Sequence, residues 1–453
     1  MTSDVMTSNA LEWMSAKDAA AAIAAGRITS KELTEACLAS IERQEETVGA
    51  WTFLRREHAL MQAEMADDAH RAGRPQGPLH GVPVGVKDIF DTHDMPTEDG
   101  SPLHAGRTPR RDATAVARLR QAGAIIMGKT VTTEFAVYNP GKTANPHDPS
   151  RTPGGSSSGS AAAVAAGMVP LAIGSQTNGS VIRPASFCGI VGYKPSFGLI
   201  SRHGALTLSR TLDHVGVFAR SVEDAALIAE CMIGFDPADP DTRPVAPPPL
   251  LAAAQSAPPV PPRLAFVPSP VWDQAEPETQ AAFEELFEAV KEVPGVHIER
   301  LDLSERYAEA IELHRVIMET DLAVNLRAEY DAAPDQISPV LRAMIERGRR
   351  EHGAFDYARA IASIPALNSL LEDILFAYDA IITPAAPGVA PPRATTGSPV
   401  FCTLWTHCGL PAVTIPLLQG ERGLPIGVQL VSIRGDDARL LRTASWLAKL
   451  DLS

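Results

Sequence analysis

The 453-residue chain has few cysteines and a deficit of positive charge, and each shortage excludes a class of protein. Its five cysteines are odd in number, widely spaced and free of any CxxC pair, which argues against a disulfide framework. The net charge of -14 argues against a nucleic-acid partner, because such partners bind basic surfaces. Its composition, 45% hydrophobic and 21% charged, is ordinary for a soluble globular protein. At 453 residues the chain is long enough to bury a large core.

The sequence also lacks a membrane span, a secretion signal and a metal motif. Its longest apolar run, which starts at Ala161, is interrupted by Gly167 and Pro170 and is too short to cross a bilayer. The first ten residues do not have the basic-then-apolar order of a signal peptide. No H-E-x-x-H spacing occurs among the twelve histidines. We therefore expect a reduced, cytoplasmic protein without membrane partner or metal.

Short apolar strands alternate with helical segments through the first half of the chain, which predicts an α/β protein. We expect one large mixed, mainly parallel β-sheet with helices on both faces, and a single domain over residues 1–453. Its expected parts are N-terminal helices at 15–75, a core holding the candidate chemistry at 76–235, a Pro-rich excursion at 236–262, and a C-terminal part at 263–453 that completes the sheet and the substrate pocket.

One literal motif match is rejected on physical grounds. Residues 123–130 read G-A-I-I-M-G-K-T and fit the phosphate-loop pattern. In a true phosphate loop the four variable residues wrap phosphate with their backbone N–H groups, whereas Ala-Ile-Ile-Met favours a buried strand. Nucleotide binding is not expected here.

Three stretches carry the candidate chemistry. The apolar strand V-P-V-G-V-K ends at Lys87, where burial would lower the pKa of the amine and make it usable as a base. Residues 152–160, T-P-G-G-S-S-S-G-S, form a Gly/Ser loop that runs into an Ala-rich helix. Residues 174–186, G-S-Q-T-N-G-S-V-I-R-P-A-S, can be interpreted as a hairpin turn at Asn178-Gly179 or as a row of backbone N–H groups aimed at one oxygen.

These three stretches, in this order, resemble the amidase signature family of serine hydrolases. H-G-V-P-V-G-V-K-D resembles the strand of the family's catalytic lysine, and N-P-H-D-P-S-R-T-P-G-G-S-S-S-G-S resembles its serine loop. G-S-Q-T-N-G-S-V-I-R-P-A-S-F-C-G resembles its nucleophile segment, and I-I-T-P-A-A-P, G-L-P-A-V-T-I-P and G-L-P-I-G-V-Q-L resemble its C-terminal strands. The resemblance covers residues 15 to 450.

The resemblance implies a Ser–Ser–Lys triad and no cofactor. Ser180 stands at the nucleophile position, Ser156 at the bridging position after a cis peptide bond, and Lys87 at the position of the base. The backbone N–H groups of Thr177, Asn178, Gly179 and Ser180 would form the oxyanion hole. For the substrate pocket we expect contributions from Thr133, Tyr138, Trp405 and His407.

The nucleophile segment also departs from the family pattern. The family commonly has Asp where Gln176 stands, Gly where Asn178 stands, and Arg two residues after the nucleophile. Here Arg183 is three residues after Ser180. These changes leave the triad in place and put the support of the loop in question.

The leading functional prediction is a cofactor-independent amidase acting on linear small-molecule amides through an acyl-enzyme on Ser180. Carbamates (urethanes) and esters share the required carbonyl and are included as substrates, and the resemblance also allows a homodimer. The alternative is the glutamine-amidase subunit of a tRNA-dependent amidotransferase. Two other hypotheses are a nitrilase-like enzyme using Cys188 with Lys87 and Glu134, and a non-catalytic binding protein.

Overall fold

The computed structural model describes residues 11–303 and 305–451. The first ten residues, on which the absence of a signal peptide was argued, lie outside that part of the chain. Within it, no helix combines the length and the apolar character needed to cross a membrane.

Fifteen α-helices and eleven β-strands are formed by the described residues. The strands are β1 Trp51–Leu54, β2 Pro83–Lys87, β3 Ile125–Thr130, β4 Leu171–Gln176, β5 Val191–Lys194, β6 His214–Ala219, β7 Arg263–Phe266, β8 His297–Arg300, β9 Ala380–Pro384, β10 Ala412–Gln419 and β11 Pro425–Val431. The helices are α1 Ala16–Ala24, α2 Ser30–Val48, α3 Arg56–Arg71, α4 Thr114–Gln121, α5 Ser158–Ala165, α6 Ile182–Cys188, α7 Val222–Met232, α8 Leu250–Gln255, α9 Pro277–Lys291, α10 Glu305–Asn325, α11 Arg327–Ala332, α12 Pro339–Arg350, α13 Ala354–Leu375, α14 Val400–His407 and α15 Asp437–Leu447.

All eleven strands join one sheet in the order β1-β3-β2-β4-β6-β5-β10-β11-β9-β7-β8. The predicted mixed α/β class is confirmed. Parallel pairing, however, is confined to β3-β2-β4 and β8-β7-β9, and the other six neighbour pairs of described strands are antiparallel. For β10 and β11 the short connection, residues 420–424, is the reason, since a parallel neighbour needs a crossover of a dozen or more residues.

The Pro-rich segment does not separate two sheets. Strands β7, β8 and β9 follow it in the chain, yet they pair through β11 and β10 with β5, which precedes it. This continuity supports the proposed single domain. Part of the segment is also more regular than its composition indicates, because Leu250–Gln255 form α8, which packs against α7 and α15.

Local sequence signals explain how the elements near the site begin and end. Thr29 and Glu32 form the predicted capping box of α2, with both reciprocal hydrogen bonds present. Every residue of β2 is buried, as expected for a parallel strand covered on both faces. At the start of α5, a Cβ on Gly159 would lie 2.2 Å from the carbonyl oxygen of Ala50 and 2.3 Å from the Val131 nitrogen. Only glycine lets this helix approach the sheet so closely.

The rejected phosphate loop is a strand. Ile125–Thr130 form β3, and the Lys129 amine is buried against the carbonyl oxygen of Phe90 at 2.8 Å and the Thr97 hydroxyl at 2.6 Å. No loop of N–H groups is available there for a phosphate.

Candidate active site

The site lies where two parallel strands end side by side. Lys87 is the last residue of β2, and Ser175 and Gln176 are the last residues of β4, which pairs with β2 in parallel register. Carboxyl ends of neighbouring parallel strands meet at one edge of a sheet, which is where α/β proteins place their sites. The fold therefore brings the lysine strand and the nucleophile segment together.

The Lys87 amine is fully buried and surrounded by hydroxyl groups. Its Nζ lies 2.7 Å from the Oγ of Ser156 and 2.8 Å from the Oγ of Ser175. Burial lowers the pKa of Lys87 well below its ordinary value, and the more distant Asp213 carboxylate opposes that shift. A lysine in these surroundings can be a neutral amine near neutral pH.

The serine loop contains three consecutive serines, and they face different partners. Ser156 is the one beside Lys87, and its peptide bond with Gly155 is cis. The Ser157 hydroxyl bonds the backbone of Ser175, at 3.2 Å to its oxygen and 3.3 Å from its nitrogen. The Ser158 hydroxyl donates to the Val131 carbonyl oxygen at 3.3 Å. The geometry thus singles out Ser156 as the hydroxyl that can exchange a proton with the lysine.

Ser180 lies in the turn between β4 and α6, and its side chain is buried. The turn is not the hairpin that Asn178-Gly179 allowed, because neither residue has the positive φ that a type I′ turn requires. The N–H groups of residues 177–180 donate to no acceptor among the described residues. Free N–H groups in a row are what an oxyanion hole needs.

Gln176 ties the two ends of this turn together. Its Oε1 accepts from the N–H groups of Val181 at 2.8 Å and Ile182 at 3.0 Å, while its Nε2 donates to the Thr406 hydroxyl at 2.9 Å. Ile182 occupies the position where the family commonly has arginine, and it is buried. The Asp and the Arg that the common pattern has at these two positions are therefore both absent, and the neutral amide of Gln176 makes the contacts to the backbone.

The displaced Arg183 supports the serine loop. Its Nη2 donates to the Gly155 carbonyl oxygen at 2.6 Å, and its Nη1 donates to that of Gly397, also at 2.6 Å. The side chain is buried, and its guanidinium lies 5.9 Å from the centre of the Tyr138 ring. Arg183 thus fixes the peptide that precedes Ser156.

Two cavities flank the nucleophile segment. One, of about 560 Å³, is walled by apolar side chains from α10, α12 and α14, together with Tyr138, Asn178 and His314. The other, of about 400 Å³, has the more polar lining of the two, which includes Ser175, Thr177 and Asp213. Burial raises the pKa of Asp213 to about 6, although its carboxylate accepts a 2.6 Å hydrogen bond from the Thr177 hydroxyl.

The four residues expected in the substrate pocket do not lie together. Tyr138 lines the apolar cavity, and its hydroxyl accepts from the Asn178 amide at 3.0 Å. Thr133 lies against the serine loop, where its N–H donates to the Ser156 carbonyl oxygen at 3.1 Å. Trp405 is buried in an apolar cluster, and His407 bonds the Ser363 hydroxyl at 2.9 Å. Helix α14 turns these last two side chains away from the cavity, to which it presents Val400 and Thr403.

The cysteine hypothesis finds no support in the geometry. The Cys188 thiol is buried and donates to the Pro153 carbonyl oxygen at 3.4 Å. Burial raises the pKa of this thiol, which disfavours the reactive thiolate. Glu134 instead accepts from the Ser338 N–H at 3.0 Å.

Several residues of the site carried no recognised sequence signal. Ser175 could have been found, because it is a hydroxyl at the end of the strand next to that of Lys87. Thr406 and the cavity residues of α10 and α12 lie more than a hundred residues from the nucleophile and belong to no motif. Their contribution depends on tertiary packing alone.

Comparisons with known proteins find relatives over nearly the whole chain. The sequence profile of the Amidase family matches residues 32–441. One subunit of glutamyl-tRNA(Gln) amidotransferase from Chloroflexus aurantiacus is 34% identical over 472 residues, which covers 95% of each chain. A solved structure of native peptide amidase from Stenotrophomonas maltophilia has a TM-score of 0.82 at 29% identity and covers 96% of each chain. A structure of a vestigial protein complex bearing on the origins of an s-triazine catabolic enzyme has a TM-score of 0.88 at 30% identity, covering 96% of this chain and 98% of that one.

Proposed function

The chain belongs to the Amidase family, and we propose that it hydrolyses the C–N bond of small linear amides that carry an apolar group, through an acyl-enzyme on Ser180. The observation that carries this proposal is the buried Lys87 amine, 2.7 Å from the Ser156 hydroxyl, at the edge of the sheet where the Ser180 turn presents its free N–H groups. Carbamates and esters present the same carbonyl and are included as slower or side substrates. The substrate is a small molecule, and no cofactor takes part.

The residues act as follows in this proposal. Neutral Lys87 accepts the proton of the Ser156 hydroxyl, which accepts the proton of Ser180 as that oxygen attacks the carbonyl carbon. The N–H groups of residues 177–180 donate to the oxyanion that forms. The proton returns along the same relay to the leaving nitrogen, the C–N bond breaks, and the amine leaves. Water, deprotonated by the same relay, then attacks the Ser180 ester and releases the acid.

The apolar cavity supports the choice of substrate. Its apolar wall comprises Ile311, Met318, Val340, Ala343, Met344 and Val400. The charged groups that line it neutralise one another, since Arg315 pairs with Glu312 and with Glu319, and Arg347 pairs with the same Glu319. Binding of an apolar chain in such a cavity lowers the free energy. A zwitterionic amino acid would instead lose hydration without finding an unpaired counter-charge.

A matched pair of serine variants tests the mechanism. Ser180→Ala and Ser156→Ala are expected to lose turnover and labelling by a fluorophosphonate probe. Ser157→Ala, which changes the adjacent hydroxyl on the same loop, is expected to keep both. Turnover by Ser180→Ala, or equal losses in Ser156→Ala and Ser157→Ala, would overturn the assignment.

A series of primary amides of increasing chain length tests the substrate class. Each buried methylene is worth about 0.8 kcal/mol, so kcat/KM should rise roughly fourfold per methylene until the cavity is full. Ala343→Trp, a change at an exposed position of α12 that faces the cavity, should flatten this rise and leave acetamide unaffected. A flat series in the wild-type enzyme would contradict the apolar-substrate proposal.

A second candidate function is glutamine hydrolysis as the amidase component of a tRNA-dependent amidotransferase. Two observations favour it: the 34% identity to the glutamyl-tRNA(Gln) amidotransferase chain, and the Asp213 carboxylate at the polar cavity, which could receive an ammonium group. Gln176 and Arg183 both support the loop, so their departure from the common pattern is compatible with this function. Glutaminase activity exceeding that on hexanamide, together with co-purification of a second protein chain, would decide for it.

A further inference from the structure

The turn that bears Ser180 is held from outside by two side chains that belong to no motif of the sequence. The Nε2 of His314, on α10, lies 2.9 Å from the Thr177 carbonyl oxygen. The hydroxyl of Thr406, on α14, donates to the Asn178 carbonyl oxygen. Both residues are buried and are contributed by helices that follow the turn by more than a hundred residues.

The direction of each hydrogen bond is fixed by chemistry. Burial lowers the pKa of His314 to about 4, so its ring is neutral near pH 7. A carbonyl oxygen can only accept, so the neutral ring carries its proton on Nε2 and donates it. The Gln176 Oε1 already accepts two backbone N–H groups, so the amide nitrogen Nε2 is the atom that faces Thr406. This nitrogen donates to the Thr406 Oγ at 2.9 Å. The Thr406 hydroxyl proton is therefore free to be donated to the Asn178 carbonyl oxygen.

Holding these carbonyl groups also orients the neighbouring N–H groups. A peptide unit is planar and trans, so its C=O and N–H point in opposite directions. Anchoring the Thr177 carbonyl therefore sets the direction of the Asn178 N–H, and anchoring the Asn178 carbonyl sets that of the Gly179 N–H. These two N–H groups are among those without an acceptor in the described structure.

We propose that His314 and Thr406 are positioning residues of the oxyanion hole, which hold the Thr177 and Asn178 carbonyl groups and so aim the N–H groups of Asn178 and Gly179 at the developing oxyanion. The proposal rests on the proposed acyl-enzyme function. His314 also lines the apolar cavity, between Ile311 and Met318 on the same helix. The helix that receives the substrate's apolar group therefore also fixes the groups that stabilise its transition state.

The expected effect is smaller than the loss of a donor. Removing one oxyanion-hole donor elsewhere lowers kcat by about 10²–10³-fold. Releasing a carbonyl group leaves the donor present but free to turn, so we expect His314→Phe to lower kcat roughly 10–100-fold while KM changes less than about threefold. His314→Gln, which restores an N–H donor, should recover part of the loss. Thr406→Val should resemble His314→Phe, and Thr406→Ser should be near wild type.

The controls reproduce the same kinds of contact elsewhere. His80 is also buried, and its Nε2 contacts the Ala66 carbonyl oxygen at 3.0 Å, far along the chain from the turn. His80→Phe should leave kcat unchanged. Thr403→Val removes a hydroxyl that donates to the Asn178 side chain at 2.8 Å rather than to its backbone, so its loss of kcat should be the smaller one.

Fluorophosphonate labelling separates positioning from folding. The probe's stoichiometry counts the folded sites, and kcat per labelled site is then compared with the labelling rate, because the phosphoryl oxygen also uses the oxyanion hole. We expect both rates to fall together in His314→Phe and Thr406→Val at full stoichiometry. Unchanged kcat per labelled site in both variants, or a loss equal to that of His80→Phe, would overturn the inference. A wild-type enzyme that is neither labelled at Ser180 nor dependent on it would instead overturn the proposed function.

Discussion

Two lysines on neighbouring strands are both fully buried, yet their surroundings prepare them for different tasks. Val86, the residue before Lys87, lies opposite Lys129 in the parallel β2-β3 register. Successive residues of a strand point to opposite faces of the sheet, so this offset of one residue sends the two amines to opposite sides. Both amines are removed from water by the same sheet.

The difference lies in what each amine touches. Lys129 contacts the Asp88 carboxylate at 3.2 Å and two backbone carbonyl oxygens. Burial lowers the pKa of Lys129, but Asp88 opposes the shift by favouring the ammonium form. Among the described residues, Lys87 has only the hydroxyl groups of Ser156 and Ser175 within hydrogen-bond distance, and its pKa is lowered further. Burial alone thus does not make a base, and the absence of a close counter-ion in the described structure is what distinguishes Lys87.

The largest expected effect separates the two lysines directly. Lys87→Met should lower kcat/KM by about 10²–10⁴-fold or more, the usual contribution of a general base, with little loss of stability, since a neutral apolar chain fits the buried site. Lys129→Met should instead destabilise the fold by about 3–5 kcal/mol, because Asp88 is left buried and unpaired. The measurements are kcat/KM per labelled site and the unfolding free energy in urea. An activity loss in Lys129→Met as large as that in Lys87→Met, at equal stability, would contradict the distinction.

The part of the site that surrounds Lys87 can be predicted from the sequence. The strand ending at Lys87, the serine loop and the nucleophile turn are short segments with their own composition, and the fold brings them to one edge. The walls of the apolar cavity are different, because Ile311, His314 and Met344 come from α10 and α12, two helices that carry no recognised motif. Trp405 and His407 were also expected to contribute to the substrate pocket, but they do not line this cavity. A helix can turn either face to a cavity, and only tertiary packing decides which.

The loss of stability caused by burying a charge without a counter-ion can also be tested at Gln176. Gln176→Glu keeps two acceptor oxygens for Val181 and Ile182 but loses the donor to Thr406 and buries a carboxylate with no cation at position 182. The folded state should raise the pKa of this Glu above its unfolded value of about 4.3, so the variant should lose stability as pH rises through and above that value. We expect a loss of about 1–3 kcal/mol or more at pH 8 and a smaller loss at pH 5.

Two further variants control this result. Gln419→Glu, an exposed position at the end of β10, should leave the stability unchanged at both pH values. Adding Ile182→Arg to Gln176→Glu supplies the cation found two residues after the nucleophile in the common family pattern, and should recover part of the stability at pH 8. A Gln176→Glu protein equally stable at pH 5 and pH 8 would show that the carboxylate reaches water.

The smallest expected effect concerns the second hydroxyl beside Lys87. Ser175→Ala removes one acceptor that stabilises the ammonium form, so the pKa of Lys87 should fall further. Catalysis needs the neutral amine, hence the acidic limb of kcat/KM against pH should move to lower pH. One hydrogen bond is worth about 0.5–1.5 kcal/mol, so the limb should move by at most about one unit and the plateau should fall less than about tenfold. Ser157→Ala, whose hydroxyl bonds the Ser175 backbone, should leave the limb in place. A limb that moves to higher pH in Ser175→Ala would mean that Ser175 favours the neutral amine, and the contrast with Lys129 would then rest on Ser156 alone.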